Sequence, residues 1–290
     1  MGCIFMREII KVENLSLIYA PKTALQRQAL DNVSMTVKRG EFRAIIGPQG
    51  SGKSSLLQVL AGLLAPSSGQ ASICGLDLKV KKMRENVWRK VGYIFQYPER
   101  QLFEDTVYND VAYGPGNLGL SKGEVAVRVR AALKKVGMGE EYFEVSPFKL
   151  SGGQQRRVAI AGILAMQPEV LLLDEPTAGL DPKGRKQLMD LFSDLCHQQQ
   201  VTVLLVTHDM EEVAHRADMA TVLHQGKVVM EGTPRDVFSR GRELKEHGLA
   251  VPFATELAAA LKERGLKVRE DITTLPEAEV EVEKLLRGRA

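Results

Sequence analysis

The octapeptide Gly47-Pro48-Gln49-Gly50-Ser51-Gly52-Lys53-Ser54 decides the fold. It follows the apolar pair Ile45-Ile46 and opens into Lys53 to Leu64, where apolar residues recur at helical spacing. A strand, a glycine-rich turn and a helix carrying G-x-x-x-x-G-K-[ST] make a cradle for phosphate. A polyphosphate needs many donors in a small space. Consecutive backbone N–H groups supply them, and glycines let the chain turn tightly around the anion. The helix that follows aims its positive end at the same point. Lys53 would reach the outer phosphates and Ser54 would ligate Mg²⁺. The residues expected to hold the nucleotide are therefore Gly47, Gln49, Gly50, Ser51, Gly52, Lys53, Ser54 and the adjoining Ser55.

On the N-terminal side, Ile9 to Tyr19, Ala29 to Val37 and Glu41 to Ile46 carry β-branched residues separated by turn signals, and the first of them read as antiparallel strands. On the C-terminal side Val91 to Phe95 is a short buried strand. From about Tyr97 to Gln167 helical patterns dominate, with Lys122 to Val136 the clearest. Three short apolar runs follow, at 170–173, 201–206 and 219–223, of the kind found in a sheet covered on both faces. Helices at about 183–199 and 210–217 separate them, and 226–229 suggests a late hairpin strand. The expectation is an α/β fold of the P-loop NTPase kind. It has a mixed sheet, an antiparallel β-subdomain, an α-helical subdomain inserted at about 97–167, and a small C-terminal α extension. The main domain would span 1–241 and the extension 242–290, where Leu257, Leu261 and Leu266 can form an apolar stripe.

Bulk properties exclude several classes. Hydrophobic residues make up 44% of 290, enough for a sizeable core, so a disordered chain is not expected. Thirty-nine basic against 36 acidic residues leave +3, too mild a balance to argue for nucleic acid. No run of about 18 apolar residues is present to span a bilayer. The apolar start, Met1 to Met6, is too short for a signal peptide. Met6 stands where a myristoylation motif needs Ser or Thr, and is itself a candidate start. Cys3, Cys74 and Cys196 fit neither a disulfide framework nor a zinc spacing, and read as packing residues in a reducing compartment.

Two acids, Asp174-Glu175, end the run Val170-Leu171-Leu172-Leu173. A buried strand delivers them to the carboxyl edge of the sheet, beside the phosphate loop. Asp174 is placed to hold Mg²⁺, and Glu175 to take a proton from, or orient, an attacking water. Alone, such a pair could merely end a strand. Downstream of a phosphate loop it points to hydrolysis.

Leu150-Ser151-Gly152-Gly153-Gln154-Gln155 narrows the class. Ser151 with Gln154 is a capping box, so the segment starts a helix, and a helix start is also an anion site. With this segment between the phosphate loop and the two acids, the chain resembles the ABC ATPases from about Lys11 to Gly241. The resemblance implies that Ser151 and Gly153 bind the γ-phosphate of ATP held by an opposite subunit. Other positions match residue by residue. Gln96, at a strand end, resembles the glutamine that touches Mg²⁺ or water and senses the membrane partner; it can also be an ordinary loop residue. Ala178-Gly179-Leu180-Asp181 resembles the loop that crosses the dimer, and Asp181-Pro182 equally suits a helix N-cap. His208, after Leu204-Leu205-Val206-Thr207, resembles the switch histidine. Tyr19 resembles the aromatic that stacks on adenine, although an exposed aromatic on a sheet is common. Gln49, where relatives often carry Asn or Thr, is a minor departure.

The stretch Gln96-Tyr97-Pro98-Glu99-Arg100-Gln101-Leu102-Phe103-Glu104-Asp105-Thr106-Val107, continuing to Pro115, looks like the ATPases of energy-coupling-factor importers of vitamins, cobalt or nickel. The resemblance implies ATP and Mg²⁺ as cofactors, and a second ATPase subunit, self or sister, as partner. It further implies a transmembrane subunit docked on Gln96 to Pro115, and a separate substrate-binding membrane protein engaged indirectly. The chain would sit at the cytoplasmic face of the membrane. Leu102 and Phe103 are expected to anchor a partner helix, and Glu99, Glu104, Asp105 and Asp110 to receive its arginines; a merely solvated acidic face is the alternative. Rival readings are a conventional ABC importer or exporter ATPase, a DNA-repair-type ATPase and a ribosome-associated ABC protein.

Overall fold

The computed structural model describes residues 8–269 and 271–287. The apolar start with Cys3 lies outside the described residues. Two sheets and a helical block account for most of the chain. The first sheet joins β1 (Glu8–Tyr19) and β2 (Arg27–Lys38) to two strands that follow the phosphate-loop helix. The second begins with β3 (Phe42–Ile46), all five residues buried, which feeds α1 (Lys53–Leu60). That helix ends four residues earlier than the apolar pattern suggests, and Gly62 follows at φ +75°. β4 (Ser68–Ile73) and β5 (Leu76–Asp77) then return to β1, giving the antiparallel order β2-β1-β4-β5. Ser68-Gly69-Gln70-Ala71-Ser72-Ile73 is too polar to mark a strand by its pattern. It becomes a strand because β1 offers it an open edge, with Ile10 opposite Ile73 and Val12 opposite Ala71.

A single helical turn, α2 (Lys81–Arg84), leads to β6 (Val91–Ile94). The helical block comes next: a 3₁₀ turn at Pro98–Gln101, then α3 (Val107–Asn117), α4 (Lys122–Lys135) and α5 (Gly152–Ala165). Thr106, Ser121 and Ser151 cap these three helices with their side chains. The chain returns through β7 (Val170–Asp174), α6 (Pro182–Gln199), β8 (Thr202–Val206), α7 (Met210–Arg216), β9 (Met219–His224) and β10 (Lys227–Gly232). Four short helices finish it: α8 (Pro234–Ser239), α9 (Gly241–Glu246), α10 (Phe253–Glu263) and α11 (Leu275–Arg287).

The second sheet has the order β10-β9-β3-β8-β7-β6, parallel except for the β9–β10 hairpin. β3 therefore belongs to the parallel sheet and not to the antiparallel layer of its sequence neighbours. β3 and β8 lie at its centre, with β7 beside β8. Leu171, Leu172 and Leu173 are completely buried, each contributing about 1.5–3 kcal/mol relative to exposure. One face packs on α1 and the antiparallel sheet; the other packs on α5, α6 and the helical block. This wrapping puts the carboxyl ends of β3, β6, β7 and β8 at one edge. Of the apolar stripe in the tail, Leu257 packs beside Ala254, Ala258, Ile272 and Ala278 in a small core of its own, while Leu261 and Leu266 are half-buried. Cys196 is buried and Cys74 half-buried, both as free thiols, and burial pushes each up to about 12. Among the described residues no helix is long and apolar enough to cross a membrane.

Candidate nucleotide site

At that edge the loop from Gly47 to Ser54 leaves β3 and starts α1. Two of its glycines are obligatory. A Cβ on Gly52, at φ +104°, would stand 2.5 Å from the Ala29 carbonyl oxygen, and one on Gly47 would stand 2.1 Å from that of Leu223. The loop is thus pinned between β2 and β9. Gln49 and Gly50 are exposed, whereas Ser51 is buried and its hydroxyl has no partner. Lys53 folds back onto the loop, donating to the carbonyl oxygens of Gly47 at 2.7 Å and Pro48 at 2.9 Å. Burial lowers its pKa, opposed by the charges of Glu175 and Asp174. A half-buried ammonium that, among the described residues, donates only to neutral carbonyls, beside a hydroxyl with no partner among them and a helix start, is what an incoming phosphate needs.

The cleft over the loop is lined by Tyr19, Arg27, Ala29 and residues 50–55. Tyr19 ends β1, and its hydroxyl meets Ser55 Oγ at 3.1 Å and Gln58 Oε1 at 3.3 Å. Arg27 escapes a reading of the sequence. It enters because it faces Tyr19 across the β1–β2 ladder, and its guanidinium reaches Gly50. The hairpin register was the one signal that could have found it.

The two acids lie at the end of β7. Ser54 Oγ donates to Asp174 Oδ1 at 3.1 Å, and the Tyr93 hydroxyl donates to Oδ2 at 3.1 Å. Burial raises the Asp174 pKa and Glu175 adds to the rise, while the hydrogen bonds from Ser54 and Tyr93 and the Lys53 charge oppose it. A hydroxyl and a carboxylate side by side are hard oxygen donors that suit Mg²⁺. Tyr93, one strand over on β6, was not anticipated; its hydroxyl pKa is pushed upward by burial and by Asp174.

Glu175 adopts a left-handed backbone, φ +49°, and its N–H donates to the Val206 carbonyl. A non-glycine residue there is strained and persists only where its surroundings fix it. The turn lifts the carboxylate out of the sheet. Gln96 Nε2 donates to Glu175 Oε2 at 3.2 Å, and His208 Nδ1 stands 3.6 Å from Oε1, its ring 77% exposed. Gln96, Glu175 and His208, from the ends of three strands, therefore converge on one carboxylate. Asp209, next to His208, caps α7 and accepts from Arg185 on α6 at 2.9 Å.

Ser151, Gly153 and Asp181 do not join this cluster. Ser151 is exposed at the start of α5 in a complete capping box with Gln154. Gly153 and Asp181 line a separate hollow with Arg156, Arg157 and Leu180. Asp181 Oδ1 accepts from the Gly184 N–H at 2.8 Å as the α6 N-cap.

The acidic stretch after Gln96 needs a correction. Glu99 is not free to meet a partner's arginine: it accepts a two-pronged bond from Arg156. Asp110 turns inward too, accepting from the N–H groups of Phe103 and Glu104. Leu102 is core, only 7% exposed. What faces outward is Phe103, edge-on to Tyr113, with Asp105 exposed and Glu104 half-exposed. Spacing marked this surface as acidic but did not tell which acids the chain itself consumes.

Residues 30–178 match the ABC transporter family. The chain is 47% identical over 283 residues to the energy-coupling factor transporter ATP-binding protein EcfA2 of Clostridium tetani, covering 97% of this chain and 98% of that protein. It is 49% identical over 281 residues to EcfA2 of Symbiobacterium thermophilum, with 97% of each covered. Among solved structures it resembles cbiO1 of Clostridium perfringens, part of the ABC transporter complex cbiONQ. There the TM-score is 0.72 at 39% identity, covering 82% of this chain and 94% of that one. It also resembles the dimeric, post-hydrolysis ATP-binding cassette MJ0796 bound to ADP and phosphate, at TM-score 0.69 and 31% identity over 78% of this chain and 98% of that one. Identity at this level over nearly the whole length, added to the family match, means that the chain belongs to the ABC transporter ATPases and, within them, to the ATP-hydrolysing subunits of energy-coupling factor transporters.

Proposed function

We propose that the chain hydrolyses ATP held between itself and a second ATPase subunit, self or sister, to drive an importer of vitamins or transition-metal ions from the cytoplasmic face of the membrane. The convergence of Gln96, Glu175 and His208 beside the phosphate loop carries this reading. Lys53 and the loop N–H groups bind the triphosphate, and Tyr19 stacks on the base. Ser54 and Asp174, with Gln96, would hold Mg²⁺, which neutralises charge between the outer phosphates. Glu175 accepts the proton of the attacking water, and Gln96 and His208 fix that carboxylate's orientation. Ser151 and Gly153 of the opposite subunit grip the γ-phosphate, and Asp181 lies at the joint. Closure excludes bulk water and completes the constellation.

The membrane subunit docks on the Gln96 to Pro115 side. A groove of about 630 Å³ lies there, lined by Trp88, Leu102, Tyr113 and Met166 among others, and Phe103 packs edge-on against Tyr113 at 4.9 Å. Leu102 forms its floor, so Phe103 and Tyr113 are the anchors. The substrate-binding membrane protein is reached only through that subunit, and no nucleic acid takes part.

The test is size-exclusion chromatography of a Glu175→Gln variant with its sister ATPase. Stoichiometric dimers that need both ATP and Mg²⁺ are expected; protomers that stay apart under those conditions would sink the sandwich.

A further inference from the structure

Arg156, 6% exposed, joins three segments that the sequence keeps far apart. Its guanidinium forks onto Glu99, Nε to Oε2 at 3.0 Å and Nη2 to Oε1 at 3.1 Å. The remaining Nη1 donates to the Ala178 carbonyl oxygen at 2.7 Å. Its Cζ lies 5.9 Å from the centroid of the Tyr97 ring, over which Arg100 Cζ stands at 4.8 Å. Ala178 in turn donates its N–H to the Glu175 carbonyl at 3.1 Å. One rigid side chain thus touches the turn after Gln96, the helix opened by Ser151, and the loop running from Glu175 to Asp181.

We propose that Arg156 is a positioning residue that makes these three segments move as one body, so that a displacement of the Gln96 turn carries the Ser151 terminus and the Asp181 loop with it. The inference rests on the roles proposed above for those residues. The chemistry favours arginine specifically. A planar fork can bind a carboxylate with two donors and still offer a third at a fixed angle; an ammonium can do the first only as a point charge. A buried ion pair is also a poor device for stability alone, since desolvation offsets much of the attraction. Here it stands at the junction of three loops, where apolar packing would serve cohesion equally well but would not fix direction. Burial pushes the Glu99 carboxyl up, but the hydrogen bonds and charge of Arg156, with a backbone hydrogen bond and the Arg100 charge, hold it below its ordinary range.

The test is a double-mutant cycle in the transporter assembled with its sister ATPase and membrane subunits, comparing wild type, Arg156→Lys, Glu99→Gln and the pair. Each single change is expected to lower kcat on the order of tenfold with the KM for ATP unchanged. The pair should be no worse than the poorer single variant. Solute moved per ATP hydrolysed should fall in all three. Multiplying effects, a raised KM with kcat intact, or losses that follow melting temperature would overturn the proposal. If Arg156→Lys does not fold, Glu99→Gln decides through the same kcat-against-KM split. Dimer closure by a Glu175→Gln variant runs alongside. Its failure counts against the sandwich itself, whereas closure with multiplying effects counts against Arg156 alone.

Discussion

The phosphate-loop surface and the signature surface of this chain differ in how finished they are. Around the loop, the side chains already contact one another: Lys53 with loop carbonyls, Ser54 and Tyr93 with Asp174, Gln96 with Glu175. At the signature, among the described residues the Ser151 side chain bonds only to Gln154 of its own capping box, and Gly153 opens onto a hollow that neither Asp174 nor Glu175 lines. The first surface is a nearly complete binding site. The second is a set of donors pointing out of the protein. The proposed sandwich would join the two surfaces across a dimer and so tie hydrolysis to association, which an energy-coupling ATPase requires and a free-running hydrolase does not.

The largest effect should come from the finished side. Glu175→Gln removes the proposed base and keeps the shape, so kcat is expected to fall by about 10²- to 10⁴-fold with nucleotide affinity retained. Steady-state turnover beside equilibrium ATP binding would show it; turnover near wild type would remove Glu175 from its role. The unfinished side should behave oppositely to a binding-site mutant. Ser151→Ala deletes one hydrogen bond to a charged group, about 1.5–3 kcal/mol, so turnover of the dimer should drop roughly 10- to 100-fold while the isolated subunit binds ATP as before. Impaired binding by the isolated subunit would erase the distinction between the surfaces.

Acid separates the two surfaces as well. Asp174 has its pKa raised in the folded chain, so its contribution to stability is present at low pH and lost as pH rises through that value. Glu99 has its pKa lowered, so its contribution is present above its ordinary 4.5 and lost as pH falls through the folded value. On acidification below 4.5, amide protection around residues 97–101 and the start of α5 should weaken before protection around residues 170–174, as read by hydrogen exchange. The stability gap between wild type and Glu99→Gln should close over the same window. The smallest change is expected at Tyr19. Phenylalanine loses the bonds to Ser55 and Gln58 but keeps the ring, so ATP affinity should shift by about 1 kcal/mol or less. A larger loss measured by calorimetry would mean that the hydroxyl, and not stacking, does the holding.

The phosphate loop, the paired acids and the signature were legible because each is a contiguous run whose neighbours along the chain set its conformation. Glycines, a capping box and a buried strand end act over a few residues, so their order pointed to a P-loop ATPase, and their resemblance to a known family narrowed it to the ABC kind. β4 was illegible, since a run as polar as Ser68 to Ser72 becomes a strand only when β1 presents an open edge. Arg27, Tyr93 and Arg156 were illegible for the same reason. Their partners sit on other strands or loops, and only the sheet register and the packing of α5 bring them within bonding distance. The inward turn of Glu99 belongs with them. Whether an acid faces a partner or an arginine of its own chain depends on contacts between segments distant in sequence, which no local stretch of residues contains.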